Sequence, residues 1–218
     1  MILNDNEIRI IGALIEKART TPEYYPLTAN SLLSACNQSS NRNPVMSLEL
    51  KELNSALDSL LEKKLIEKVL NIGKTIRYKE DFTRRFEFSE QHAAIICVLF
   101  LRGKQTVGEL NSRTGRLTDF GSLQEIESVL NELIIHPHGP YVEMIQHQPG
   151  QKGIRYDHCF YGDPEEVIKE EKKKGTVLLK TSTDNQRFQD LENEVNRLKY
   201  IIDDLQERIV TLETKSNY

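Results

Sequence analysis

LIEKVLNIGKTIRYKE, Leu65 to Glu80, holds two short β-prone runs on either side of Asn71–Lys74. It reads as two short strands joined by a tight turn. Three helical patterns precede it, and three helices followed by a hairpin is the element order of a winged helix. Asn4 with Glu7 three residues on has the spacing of a capping box, ahead of Ile8, Ile11, Leu14 and Ile15 on one helical face. Pro22 and Pro26 in ARTTPEYYP stop that helix. Thr28 caps a second pattern, ANSLLSAC. Ser47 is the expected cap of a third, with Leu50, Leu53, Leu57 and Leu60 on one side.

The order then repeats. Ser89 opens HAAIICVLFLRG, which Gly103 ends. Thr106 with Glu109, and Ser122 with Glu125, have capping-box spacing ahead of TVGELNSR and SLQEIESVLNELII. YVEMIQH and GIRYDHCFY flank the turn QPGQKG. Two units of one element order are an internal repeat, although their residue identity is slight. The expected fold is therefore α+β, mainly α: two tandem winged-helix domains over residues 1–85 and 86–163. A charged linker, 164–183, and a C-terminal coiled-coil helix, 184–218, complete the organisation.

The last segment carries the most regular periodicity. Phe188, Leu191, Val195, Leu198, Ile202, Leu205, Ile209 and Leu212 alternate steps of three and four. The a positions are Phe188 and three β-branched residues, and every d is Leu, which favours a parallel two-stranded coil. In that register Arg187 faces Glu192, Glu194 faces Lys199 and Arg208 faces Glu213, all opposite in sign. A homodimer through these eight residues is expected; the alternative is one amphipathic helix folded back on its own chain.

The 218 residues are 38% hydrophobic and 28% charged, without Trp. The longest apolar run, Ala93–Leu101, is too short to cross a bilayer, and MILNDNEIRI has no secretion-signal pattern. Cys36, Cys97 and Cys159 are odd in number and widely spaced, as for reduced thiols. The expectation is a cytoplasmic protein with no membrane partner. No convergent acid, base or nucleophile motif, phosphate loop or zinc spacing appears, so no enzyme, cofactor or metal site is expected. His136-Pro-His138 and His158-Cys159 read as ordinary imidazoles and a thiol near a hairpin.

Winged helices commonly bind DNA through the third helix and the hairpin. Here the third helices are acidic, with Glu49, Glu52, Asp58 and Glu62 in the first and Glu125, Glu127 and Glu132 in the second. Phosphates repel them. Basic residues gather instead at Lys68, Lys74, Arg77, Lys79, Arg84 and Arg85 around the first hairpin, and at Arg102, Lys104, Arg113 and Arg116 around the second unit's short helix. Either group suits a phosphate backbone. It equally suits a solvated surface. The polar connection ACNQSSNRNPVM, Ala35 to Met46, offers Asn37, Gln38, Asn41 and Arg42 as a donor-rich rim. The same residues serve a turn that bonds its own backbone.

TTPEYYPLTANSLLSACNQSSNRNPVM, FLRGKQTVGELNSRTGRL and QPGQKGIRYDHCFYGD, in that order, strongly resemble the YceH-like family of bacterial proteins over about residues 5–163. The resemblance implies a tandem pair of winged-helix domains and no assigned role, catalytic residue or ligand. The functional expectation is a dimeric DNA-binding or transcription-regulatory protein, with double-stranded DNA as partner. The alternative is a protein-interaction adaptor that uses its acidic third helices and the coiled coil.

Overall fold

The computed structural model describes residues 2–70, 75–145 and 153–161. The heptad segment with all eight of its apolar positions, Lys74 in the first turn and His147 in the second lie outside the described residues.

Helix α1 spans Asp5–Thr20. Asn4 Oδ1 accepts from the Glu7 N–H at 3.0 Å while a Glu7 carboxylate oxygen accepts from the Asn4 N–H at 2.8 Å. The expected capping box is thus formed. A single 3-10 turn, Pro22–Tyr24, follows the helix end. Helix α2, Ala29–Asn37, starts on Thr28 as expected. Helix α3, Leu50–Glu62, leads to the hairpin of β1, Ile66–Leu70, and β2, Ile76–Glu80. A four-residue helix α4, Phe82–Arg85, has no counterpart in the sequence reading. Helices α5, Glu90–Arg102, α6, Val107–Thr114, and α7, Leu123–Ile134, precede the second hairpin, β3, Val142–Ile145, with β4, Arg155–His158. The described residues are thus α+β and mainly helical, with seven α-helices and two antiparallel hairpins.

Two expected caps are corrected. Ser47 does not cap α3. The Asn37 side chain holds both the N–H and the carbonyl of Leu48 at 2.8 Å, so the backbone stays extended until Glu49, whose N–H is taken by the Glu52 carboxylate. Ser122 does cap α7, but the Glu125 carboxylate reaches the Gly121 N–H and the Gln91 amide instead of completing a box with Ser122.

The repeat has a backbone signature that residue identity conceals. Leu27, just before α2, makes a two-bond antiparallel bridge with Tyr78 in β2. Gln105, just before α6, makes the same bridge with Tyr156 in β4, and both partners lie 78 positions later. Each tyrosine is buried and each bridge is followed at once by a capping threonine, Thr28 or Thr106.

Both halves close around one core. Ile8, Ile10, Ile11, Ala13, Leu14 and Ile15 are all buried, so α1 is apolar on nearly every side, as a helix enclosed by neighbours must be. Its opposite wall is α5, where Ala93 to Leu101 are buried without interruption. Gly12 sets their separation. A Cβ built there would lie 2.9 Å from Leu101 Cδ2 and 3.0 Å from Phe100 Cβ, and the Cys97 thiol donates to the Gly12 carbonyl at 3.4 Å. Phe82, Phe86, Phe88, Phe100, Tyr141 and Phe160 form an aromatic cluster that mixes edge-to-face pairs, such as Phe88 with Tyr141, with the parallel stack of Tyr141 on Phe160.

Candidate functional site

The polar connection turns inward. Arg42 is buried, and its guanidinium donates to the Glu16 carboxylate at 2.7 Å, to the Ala35 carbonyl at 2.8 and 3.2 Å, and to the Asn41 carbonyl at 2.9 Å. It thus caps the C-terminal end of α2 and neutralises a buried carboxylate of α1. Gln38 donates to the Ser40 carbonyl at 2.8 Å and accepts from Lys17 at 3.1 Å. Asn41 takes a left-handed backbone, φ 57°, and its side-chain oxygen accepts from Arg102. The Asn43 N–H donates to the Leu101 carbonyl at 2.9 Å, and Arg9 donates to Pro44 O at 2.6 Å. Asn37, Gln38, Asn41 and Arg42 thus spend their side-chain polar groups on the connection itself and on α1, α2 and α5, as in the turn reading. An unsatisfied buried donor costs roughly 1–3 kcal/mol, which favours this inward use.

Among the described residues the first hairpin divides its cations between its two faces. In its register Lys68 pairs with Tyr78, whereas Lys79 pairs with Glu67 and Arg77 with Val69, so Lys68 projects from the opposite face. Lys79 lies 2.8 Å from Glu67 and Lys68 lies 3.8 Å from Asp58. Arg84 forks onto Asp81 at 2.5 and 2.6 Å. Arg77 donates to the Pro26 carbonyl at 2.7 Å. Arg85 is exposed at the end of α4. Exposed ion pairs of this kind contribute about 0–1 kcal/mol each, but they cancel much of the hairpin's positive field.

A different group of cations converges where α1, α5 and α6 meet. Arg102 at the end of α5, and Arg113 and Arg116 at the end of α6 and just beyond, line a cavity of about 140 Å3. Val98, Leu101 and Leu117 form its apolar wall, and Glu16 is the one carboxylate among the lining residues. Glu16 is 3% exposed and is already held by Arg42, with Lys17 at 3.6 Å and Arg116 at 3.8 Å. Arg113 lies 3.8 Å from Glu109, whose tighter partner is Arg155 at 2.8 Å. Burial resists ionisation of Glu109, but the Thr106 N–H and then Arg155 and Arg113 together hold its carboxyl below the usual range. Arg102 has no carboxylate partner among the described residues. Burial first, and then the neighbouring Arg113 and Arg116 charges, lower its guanidinium pKa. Arg102, Arg113 and Arg116 of the second basic group noted in the sequence thus line one concave surface, whereas Lys104 is not among its lining residues. Glu16 was missed; its signal is a charge embedded in the apolar face of α1.

Cys36 and Cys97 are buried, and burial raises both thiol pKa values, that of Cys36 to about 12. His158 is buried, its pKa pushed down to about 4, and its Nε2 has no hydrogen-bond partner. Among the described residues no three His, Cys, Asp or Glu side chains are grouped to hold a metal, and no helix is long and apolar enough to cross a membrane.

A family profile described as "Protein of unknown function, DUF480" matches residues 3–151. The chain belongs to this DUF480 family. The match agrees with the resemblance to YceH-like proteins drawn from the quoted motifs. DUF480 relatives carry the printed name UPF0502 protein. One, from Photobacterium profundum, is 39% identical over 219 residues, covering 96% of this chain and 97% of the relative. Another, from Aliivibrio fischeri, is 39% identical over 221 residues, covering 98% and 99%. A third, from Geobacter sulfurreducens, is 42% identical over 199 residues, covering 91% and 90%. The first two alignments run on through most of the heptad segment, so similarity extends well past residue 163, where the resemblance by motif ends.

Proposed function

We propose that this DUF480 protein is a cytoplasmic, non-enzymatic, tandem winged-helix protein that binds double-stranded nucleic acid as a dimer. The twice-used order of three helices and a hairpin, with matching bridges at Leu27–Tyr78 and Gln105–Tyr156, supports the winged-helix reading. The observation that carries the binding reading is the convergence of Arg102, Arg113 and Arg116 around a single lining carboxylate. In a helix-turn-helix the helix ahead of the recognition helix crosses the sugar-phosphate backbone. Helix α6 holds that place, with Arg113 in its last turn and Arg116 just beyond its end. The backbone contact then comes from the second half, and the acidic α3 and α7 remain outside the groove. Two copies joined by the heptad helix would reinforce modest contacts through effective concentration.

Fluorescence anisotropy of a labelled mixed-sequence duplex across a salt series tests this. Binding at low salt is expected, with a log–log slope of about −0.9 per phosphate contact. Arg113→Gln with Arg116→Gln should flatten that slope by about two such contacts. An absence of binding at low salt, or an unchanged slope, contradicts the proposal.

One observation favours the adaptor reading. Glu52, Asp58 and Glu62 on α3, and Glu127 and Glu132 on α7, are all exposed and point to a basic protein surface. A partner retained stoichiometrically after nuclease treatment, and lost on Asp58→Lys with Glu62→Lys, would select it.

A further inference from the structure

The geometry points to the α1–α5–α6 cleft as a seat for the terminal phosphate of a small phosphorylated molecule, whose occupation withdraws the arginines from nucleic acid. The binding step stands without the nucleic-acid reading; only the competition rests on it.

Size and charge define the ligand. A volume of about 140 Å3 far exceeds the roughly 10–15 Å3 that admits one water. It falls short of the roughly 300–1,000 Å3 of pockets that enclose drug-sized molecules. The cleft therefore encloses one compact group and leaves the remainder of its bearer outside. Three lining arginines face one carboxylate, and that carboxylate is already neutralised by Arg42 at 2.7 Å. Guanidinium forks match phosphate oxygens two at a time. Arg102, engaged only by the neutral Asn41 amide on its side-chain polar contacts, keeps donors for a ligand. Arg113, already a lining residue, is held by Glu109 only at 3.8 Å. The apolar wall of Val98, Leu101 and Leu117 strengthens such contacts by excluding water. A phosphate within a duplex carries a single charge and has sugar on both sides. A terminal phosphate carries about two charges and one substituent, which suits a cleft that holds one compact group.

Equilibrium dialysis of the full-length protein with radiolabelled inorganic phosphate, at fixed ionic strength, tests the site. One saturable site per chain is expected, weakened about tenfold or more by Arg102→Gln and by Arg113→Gln. Glu16→Gln should act oppositely on two readouts, tightening phosphate binding while lowering Tm, because it removes the opposing charge and leaves Arg42 unpaired. Phenyl phosphate, a monoester with a terminal phosphate, should displace the inorganic phosphate, and dimethyl phosphate, a diester, should not. No saturable uptake at millimolar phosphate overturns the site, as does undiminished affinity in natively folded Arg113→Gln. Equal displacement by the monoester and the diester overturns the terminal-phosphate assignment. Saturable phosphate binding in a protein that binds no duplex upholds the site and defeats only the nucleic-acid reading.

Discussion

Replacing Arg42 with alanine should destabilise the protein by about 3–5 kcal/mol, the usual result of removing one partner from a buried ion pair. The structure says where the loss arises. The substitution removes the 2.7 Å contact to Glu16, both donations to Ala35 O and the donation to Asn41 O. Glu16 would keep only Lys17 at 3.6 Å and Arg116 at 3.8 Å, both too long for good hydrogen bonds. The carboxylate then stays buried without adequate compensation. At about 2–4 °C per kcal/mol for a chain of roughly this size, Tm should fall by about 6–20 °C. Thermal and urea unfolding followed by circular dichroism measures this. A companion experiment separates the pair from its surroundings. Arg42→Met combined with Glu16→Met removes both charges and should lose less than the two single substitutions added together. A loss below about 1 kcal/mol for Arg42→Ala, or simple additivity in the double variant, would refute the inward role of this arginine.

Two further outcomes probe the core. Gly12→Ala places a methyl group within 2.9 Å of Leu101 on α5 and should lose about 1–3 kcal/mol through overpacking, read as a lower urea midpoint; an unchanged midpoint would contradict the close approach. His158 binds its proton near pH 4 when folded against 6.5 for an unperturbed imidazole, so the unfolded chain takes up more protons between those values. Stability should fall by about 3 kcal/mol as pH drops from 6.5 to 4, and His158→Phe should flatten that part of the pH–stability curve; an equal slope in the variant removes His158 as its source.

Local rules explain what the sequence made legible. Asn4 with Glu7, Thr28, Ser89, and Thr106 with Glu109 satisfy helix N–H groups three residues away, and such contacts need no tertiary knowledge. The two hairpins were readable from strand-forming runs around turns, and Gly12 from its place inside an apolar helix. Long-range partners explain the rest. Nothing near Arg42 announces Glu16, 26 positions earlier. Ser47 loses the cap of α3 because Asn37 grips Leu48 from another helix. The arginine cleft was half visible: Arg102, Arg113 and Arg116 stood out by type, but Glu16 and Asn41 join them only after α1 and α5 pack. In the first hairpin the partners are mixed in origin: Lys79 meets Glu67 on the facing strand, whereas Lys68 and Arg77 meet Asp58 and the Pro26 carbonyl from other elements.

Helix α1 holds the same place in the first half that α5 holds in the second, and the two pack on each other at Gly12. A helix that meets its own counterpart makes the kind of self-complementary contact found across the two-fold axis of a homodimer. Here that contact lies within a single chain, so the two helices need not be alike: α1 carries the buried Glu16, and α5 carries Arg102, which lines the same cavity.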